Sequence, residues 1–375
     1  VRVLDLRWTT FRLPFREPFS TARTVFAYRE GLILRLETDS GIVGLGEASP
    51  LPWDGAQVLQ RVTAMLEDAR TTLRGKQLDE TYTNLNWPSG SHPAVAAARC
   101  ALDIAAFDAM AKAARCPVAD LLAPQARRAV AVNATIGASA MTDVCEAARK
   151  AQAAGFPCIK LKVGMARSID EERERVASVR AAVGPDMKLR LDANGAWGVE
   201  QAIRTIHTLE SYNLEFVEQP VKPGRIADMK RVQDMVNTPI AADEDLTDCD
   251  AARRILQTGA ARVLILKPMV VGGLQPARQI IKLAQAAGAA VVVTTTLDAG
   301  IGTAAALHLA ATLPQEGLAC GLATAALLTS DLLACSLTVR TGRMQLPAGP
   351  GLGVELDAKA LDRYGRGRNL EERQS

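Results

Sequence analysis

The chain has 375 residues, 48% of them apolar and 23% charged, with a formal net charge of +3. This length predicts two soluble domains, and the apolar residues fall in runs too short to span a bilayer. Lys and Arg are interleaved with Asp and Glu, so neither nucleic acid nor a membrane surface is an expected partner. The opening residues lack the basic-then-apolar layout of a secretory leader. The seven cysteines are scattered and form no CxxC pair, so reduced thiols in a cytoplasmic protein are expected. His92, His207 and His308 show no metal-pair spacing, which leaves histidine chemistry little material.

In chain order, residues 3–12 alternate loosely and 31–38 read as a strand. The turn Asp39-Ser40-Gly41 then leads into a second strand over 42–47. The close glycines there lie in a hairpin, which argues against a phosphate loop. From about 56 to 114 the pattern is helical and Ala-rich, with Pro93 placed at a helix start and Pro117 and Pro124 ending the stretch. Together these predict an α+β domain over residues 1–125.

Beyond residue 130, apolar runs alternate with helical stretches in cycles of roughly 25–30 residues, as βα units require. The runs are 130–137, 158–164, 188–195, 214–220, 239–246, 262–269, 290–296 and 318–324. Eight near-continuous apolar strands joined by helices predict an α/β fold with a closed (β/α)8 barrel over 126–336. A doubly wound open sheet is the runner-up. Residues 337–375 carry Gly/Pro-rich turns that fit no ninth unit. They are expected to return to the N-terminal domain, with 366–375 frayed.

Charged residues cluster at the C-terminal ends of successive runs, where barrel enzymes keep their chemistry. Lys160 and Lys162 end the second run, Asp192 and Asn194 the third, and Glu218 the fourth. Asp243 and Glu244 end the fifth, Lys267 the sixth and Asp298 the seventh. Any one of these reads equally well as a solvated loop residue. The ordered set, Lys-x-Lys followed by three acids on consecutive strands and another Lys, argues for function.

Asp192, Glu218 and Asp243 from adjacent strands can converge on one point, where a hard divalent cation relieves their repulsion. Mg²⁺ fits, with Mn²⁺ as a substitute, and the absence of nearby His or Cys disfavours zinc. Lys160 and Lys162 leave one face of a strand. Their mutual repulsion is expected to lower a pKa enough to give a base near neutrality. Lys267, four strands on, faces them across the mouth. A small carboxylate substrate between the lysines could lose its alpha proton, with the metal stabilising the enediolate.

These residues, in this order, resemble the enolase superfamily, specifically its muconate-lactonizing (muconate cycloisomerase) subgroup, and the resemblance covers nearly the whole chain. It implies that Asp192, Glu218 and Asp243 bind the metal and that Lys162 is the acid/base lysine. Lys160 becomes its electrostatic helper and Lys267 the lysine across the site. Asn194 lies beside the metal, with Glu244 behind it. Segments 14–24 and 44–52 become loops of a capping domain closing over the substrate. By position in the chain, Trp53 is expected to touch the substrate and Trp197, just after the Asn194-Gly195 turn, to line the rim. A homo-oligomer is expected.

Within the subgroup, His308 lies too late for the mandelate-racemase pattern. The run Gly321-Leu322-Ala323-Thr324-Ala325 lacks the Asp-x-Asp of dipeptide epimerases. The GEASPLP stretch at 46–52 and the LKPMVVGG stretch at 266–273 look most like o-succinylbenzoate synthases, lyases that dehydrate a succinyl-hydroxycyclohexadiene carboxylate in menaquinone synthesis. N-acylamino acid racemase, dipeptide epimerase and muconate-type cycloisomerase are the alternatives, and a non-catalytic binding relative a lesser one. Asp298 stands where relatives usually have Glu, and Asp245 where Ser or Thr is common. Gly300-Ile301-Gly302-Thr303 reads equally as an anion cradle and as a tight turn.

Overall fold

The computed structural model describes residues 1–20, 25–51, 57–78, 85, 87, 92–137, 141–314 and 317–368. The N-terminal part is an antiparallel meander of β1 (Val3–Ser20), β2 (Val25–Thr38) and β3 (Val43–Ala48). The loose alternation in β1 has a physical cause. Leu6 and Trp8 are buried at even positions, but Phe11, Leu13 and Phe15 are buried at odd ones. The pairing of β1 with β2 runs unbroken through Thr10 and Phe11, so the two sets lie on opposite faces of the sheet and both faces bury side chains. The segment expected as a loop from residue 14 is strand as far as Ser20, with Pro14 opposite Tyr28.

Helices α1 (Gln57–Leu73) and α2 (Pro93–Ala113) cover this sheet, followed by the short α3 (Val118–Leu122). Helix α2 is buried almost all round because it has the sheet on one side and the barrel on the other. Alanine and glycine make the close packing possible. A Cβ at Gly46 would lie 1.9 Å from the Ala101 carbonyl oxygen, and one at Gly44 would lie 2.1 Å from that of Ala105. The hairpin glycines therefore serve helix packing.

The second part opens with β4 (Ala129–Ala131) and β5 (Asn133–Ile136). It continues through α4 (Met141–Ala153), β6 (Cys158–Lys162), α5 (Ile169–Val183), β7 (Lys188–Asp192), α6 (Val199–Leu209), β8 (Leu214–Glu218) and α7 (Ile226–Met235). Then come β9 (Ile240–Ala242), α8 (Cys249–Thr258), β10 (Val263–Leu266), α9 (Pro268–Val271), α10 (Leu274–Ala286), β11 (Ala290–Val293) and α11 (Gly300–Ala310). Strands β5 to β11 form one parallel sheet in sequence order. This is the expected (β/α)8 barrel with its N-terminal capping domain.

Two strand expectations need correction. The run 130–137 splits, because β4 pairs with the tail and only β5 joins the barrel. The run 318–324 forms no strand and shrinks to a two-residue link. Cys320 bridges Val132 and Gly321 bridges Thr294, both in parallel sense, so this link still closes the ring. Gly321 suits the place, since a Cβ there would lie 2.3 Å from Thr294 Oγ1.

Inside the barrel, Phe216, Ala241, Val263, Ile265 and Val292 form a small closed cluster. Arg190 stacks over Phe216 at 4.7 Å and pairs with Glu215. Side chains two residues on point to the same interior. That step leads from Phe216 to Glu218, from Ala241 to Asp243, from Ile265 to Lys267 and from Arg190 to Asp192. An apolar plug thus underlies a charged mouth, and one alternation makes both.

In the tail, β12 (Val339–Arg340) and β13 (Arg343–Gln345) add to β4, and α12 (Ala358–Tyr364) leads into β14 (Gly365–Arg368), which pairs with β1. Residues 366–368, expected to fray, are held in that pairing, and 369–375 lie outside the described residues. No helix among the described residues is long and apolar enough to cross a membrane.

Candidate active site

Strands β6, β7 and β8 are in parallel register, with Lys162 beside Asp192 and Asp192 beside Glu218. Lys160 Nζ lies 3.0 Å from Asp192 Oδ2 and 3.1 Å from Glu218 Oε1, so one ammonium bridges two carboxylates. Lys162 Nζ donates to Asp192 Oδ2 and to Asn194 Oδ1, each at 2.7 Å. Asn194 adopts a left-handed conformation just past β7, with φ at +46°. This turns its amide so that Nδ2 donates to Glu244 Oε1 at 3.1 Å while the oxygen faces Lys162. Across the mouth, Lys267 Nζ is 2.5 Å from Asp243 Oδ1 and donates to Oδ2 at 2.7 Å.

Topology fixes the relation of the lysines. Between β6 and β10, whose end carries Lys267, lie β7, β8 and β9 in one direction. In the other direction lie β5, the Cys320-Gly321 link and β11. Lys162 and Lys267 therefore stand on opposite walls.

The charges are strongly perturbed. Burial opposes the Lys160 ammonium, but the charges of Asp192, Glu218 and Asp243 outweigh it and raise its pKa. Lys267 is raised for the same reason, by Asp243 and Glu244 against its burial. Mutual repulsion of Lys160 and Lys162, expected to lower a pKa, does not govern Lys160; the acids facing it do. Burial opposes the Asp192 anion, yet Lys160 and Lys162 hold its pKa well below the usual carboxylate range. Glu218 moves up to about 8, through burial and the neighbouring Asp192 charge. Glu244 moves up to about 7, through burial and Asp243.

Among the described residues no three His, Cys, Asp or Glu side chains stand close enough to hold a metal ion as they are oriented, because the ammonium groups lie between the acids. The donor set nevertheless suits a hard cation. Asp243 Oδ1 and Glu244 Oε2 are buried without a hydrogen bond, despite the close Lys267 charge. Glu218 is driven toward its protonated form by its own surroundings. Additional positive charge at these oxygens relieves both conditions.

Asp298 shows no hydrogen bond or ion pair to this cluster among the described residues, although the Lys267 charge reaches it. Asp298 is buried, accepts a hydrogen bond from Thr296 Oγ1 and lies in the field of Glu47 and Arg29. Trp53 lies outside the described residues, and Trp197 packs in the core.

The pattern of strand-end charges does not mark the residues that seat the cap on the barrel. Glu47 of β3 accepts from Ala299 N and Gly302 N at 2.7 Å each, and from Ser49 Oγ. The N-terminus of α11 does cradle an anion, and the anion is the chain's own side chain. Asp103 of α2 similarly accepts from Leu274 N and Gln275 N at the start of α10. Arg29, fully buried in β2, donates to the carbonyls of Leu297 and Thr296. Nothing in the sequence singles out Arg29, because β2 also carries Glu30, Arg35 and Glu37.

Comparison with known proteins follows the two-part architecture. Residues 5–123 match the mandelate racemase / muconate lactonizing enzyme N-terminal domain, and residues 143–360 match the enolase C-terminal domain-like family. A chloromuconate cycloisomerase of Cupriavidus necator is 28% identical over 370 residues, covering 98% of this chain and 100% of that protein. The o-succinylbenzoate synthase of Thermobifida fusca is 39% identical over 207 residues, 55% of this chain and 63% of that protein. The dipeptide epimerase of Enterococcus faecalis V583, solved with Mg and the dipeptide L-Leu-L-Tyr, superposes with a TM-score of 0.86 at 28% identity. That match covers 95% of this chain and all of the other.

Proposed function

We propose a reaction from one premise: this chain belongs to the enolase superfamily, within the family of the mandelate racemases and muconate lactonizing enzymes. The reaction is Mg²⁺-dependent removal of the proton alpha to the carboxylate of a small substrate. The observation that carries it is the pair Lys162 and Lys267 on opposite walls of one mouth, with buried acids from three consecutive strands between them.

Lys162 takes the alpha proton as general base, with Asn194 holding its amine in place. Lys267 stabilises negative charge from the other face, and Lys160 stays charged beside Asp192 and Glu218. The oxygens of Asp192, Glu218 and Asp243 would hold the Mg²⁺, which when bound supplies positive charge to the substrate carboxylate. Asn194 and Glu244 support these groups through their mutual hydrogen bond.

For the specific reaction we propose dehydration to o-succinylbenzoate, with Lys162 returning its proton to the leaving hydroxyl. Two features support this. The synthase from Thermobifida is 39% identical over the matched region, and residues 317–330, around the barrel's closing link, contain no Asp or Glu to pair with a free ammonium. Epimerisation or racemisation is the second reading, favoured by the two opposed lysines. Purified protein with Mg²⁺ is assayed on the succinyl-hydroxycyclohexadiene carboxylate and on an N-acylamino acid. Efficient dehydration with slow racemisation is expected; negligible dehydration beside fast racemisation selects the second reading.

A further inference from the structure

Gln219 directly follows Glu218 and is fully buried. Its φ is +40°, a left-handed conformation that side chains other than glycine rarely adopt. Its backbone N–H donates to the Ala241 carbonyl at 2.8 Å, and its carbonyl accepts from Gly195 N at 2.7 Å. The side chain works in the same plane of contacts. Oε1 accepts from Asp243 N at 3.1 Å, while Nε2 donates to Asp245 Oδ2 at 2.8 Å and to the Val221 carbonyl at 3.1 Å. The second Asp245 oxygen accepts from Gly224 N at 2.6 Å. One residue thus ties together the ends of β7, β8 and β9, which carry Asp192, Glu218 and Asp243.

An amide has a donating end and an accepting end, and only the oxygen can serve the Asp243 N–H. Asp245, together with the Val221 carbonyl, decides which end faces it. A carboxylate accepts only, so the Gln219 NH₂ group turns toward Asp245 and the oxygen is left for Asp243. The two oxygens of Asp245 also reach two separate donors, Gln219 and Gly224. A single Ser or Thr hydroxyl offers one oxygen, and its proton must go to an acceptor.

We propose that Asp245 and Gln219 form a positioning clamp that fixes the strand ends carrying Glu218 and Asp243, from which their carboxylates can turn onto a divalent cation. The clamp rests on the assignment of those two carboxylates as metal ligands. Neither clamp residue touches the reacting atoms. Loss of the clamp should therefore weaken the cation's hold and leave the chemical step largely recoverable at high cation concentration.

The test is calorimetric titration of Mg²⁺ into metal-free protein, for wild type, Asp245→Asn, Gln219→Leu and the double variant. Asp245→Asn should bind Mg²⁺ about 10–100-fold more weakly, the usual effect of losing an outer-shell partner. Far-UV circular dichroism should be unchanged and turnover should return at saturating Mg²⁺. The double variant should be no worse than Gln219→Leu, because Asp245 acts through that amide. Asp245→Ser serves the same purpose should Asp245→Asn fail to fold. Unchanged Mg²⁺ affinity in a folded Asp245 variant overturns the clamp while leaving the metal site standing, as does full additivity in the double variant. Absence of Mg²⁺ binding in wild type overturns the metal site, and the clamp with it.

Discussion

Glu47 of β3 and Gly302 of α11 are 255 positions apart in the chain and joined by a buried 2.7 Å hydrogen bond. The bond seats the cap on the helix that follows the seventh barrel strand, and Gly302 leaves room for Asp298 beside it, since a Cβ there would lie 2.8 Å from the Asp298 Cβ. Glu47→Gln would present an NH₂ group to donors that now face carboxylate oxygens. It should cost about 1–3 kcal/mol, the range for a buried polar group left unpaired. The thermal unfolding midpoint measures this, and an unchanged midpoint means that the cap is held by other contacts.

Lys267 separates the two candidate reactions. In a one-face dehydration it stabilises charge, so Lys267→Arg, which keeps the charge, should retain measurable turnover. A two-base racemisation needs a lysine that can deprotonate, and arginine stays protonated. Complete loss in Lys267→Arg, equal to that in Lys162→Ala, points to two bases.

Glu218→Gln removes a proposed ligand charge while keeping the shape. Mg²⁺ affinity should fall and turnover should fall with it, and chelation of wild type should abolish turnover reversibly. Wild-type turnover by Glu218→Gln in metal-depleted buffer contradicts the assignment.

His308 predicts the acid side of the stability profile. Its Nδ1 accepts from Ala119 N at 3.0 Å and its Nε2 lies 3.0 Å from the Leu352 carbonyl, an arrangement that needs the neutral ring. Burial pushes its pKa from 6.5 down to about 4. A base held below its unfolded value contributes stability that is full above pH 6.5 and is lost as pH falls through 4. The loss should be on the order of 3 kcal/mol. Urea midpoints across this window should fall for wild type and flatten for His308→Asn. An equal acid slope in both shows that other groups dominate.

Much of the barrel was legible because its strands are buried on both faces, and continuous apolar runs ending in charges identify such strands. The same reading overcounted the eighth strand. Residues 318–324 are apolar enough for a strand, yet Cys320 and Gly321 alone bridge to β11 and the start of β5, and periodicity carries no information on how many residues pair. The Lys-x-Lys spacing puts Lys160 on the inner face but misleads about its pKa, which the facing acids raise. The near sequence neighbour is a like charge, whereas its contacts come from strands 30 and more residues away. Glu47, Arg29 and Gln219 were hidden for a related reason. Their partners lie in loops and helix ends brought together only by tertiary packing.

The central claim is that Lys162 removes the alpha proton. Its most direct test compares wild type and Lys162→Ala on the succinyl-hydroxycyclohexadiene carboxylate at saturating Mg²⁺, with circular dichroism confirming that both fold. Wild type should convert the substrate, and the variant should be slower by about 10²–10⁴-fold, the range for loss of a general base. Equal rates in the two proteins would contradict the claim.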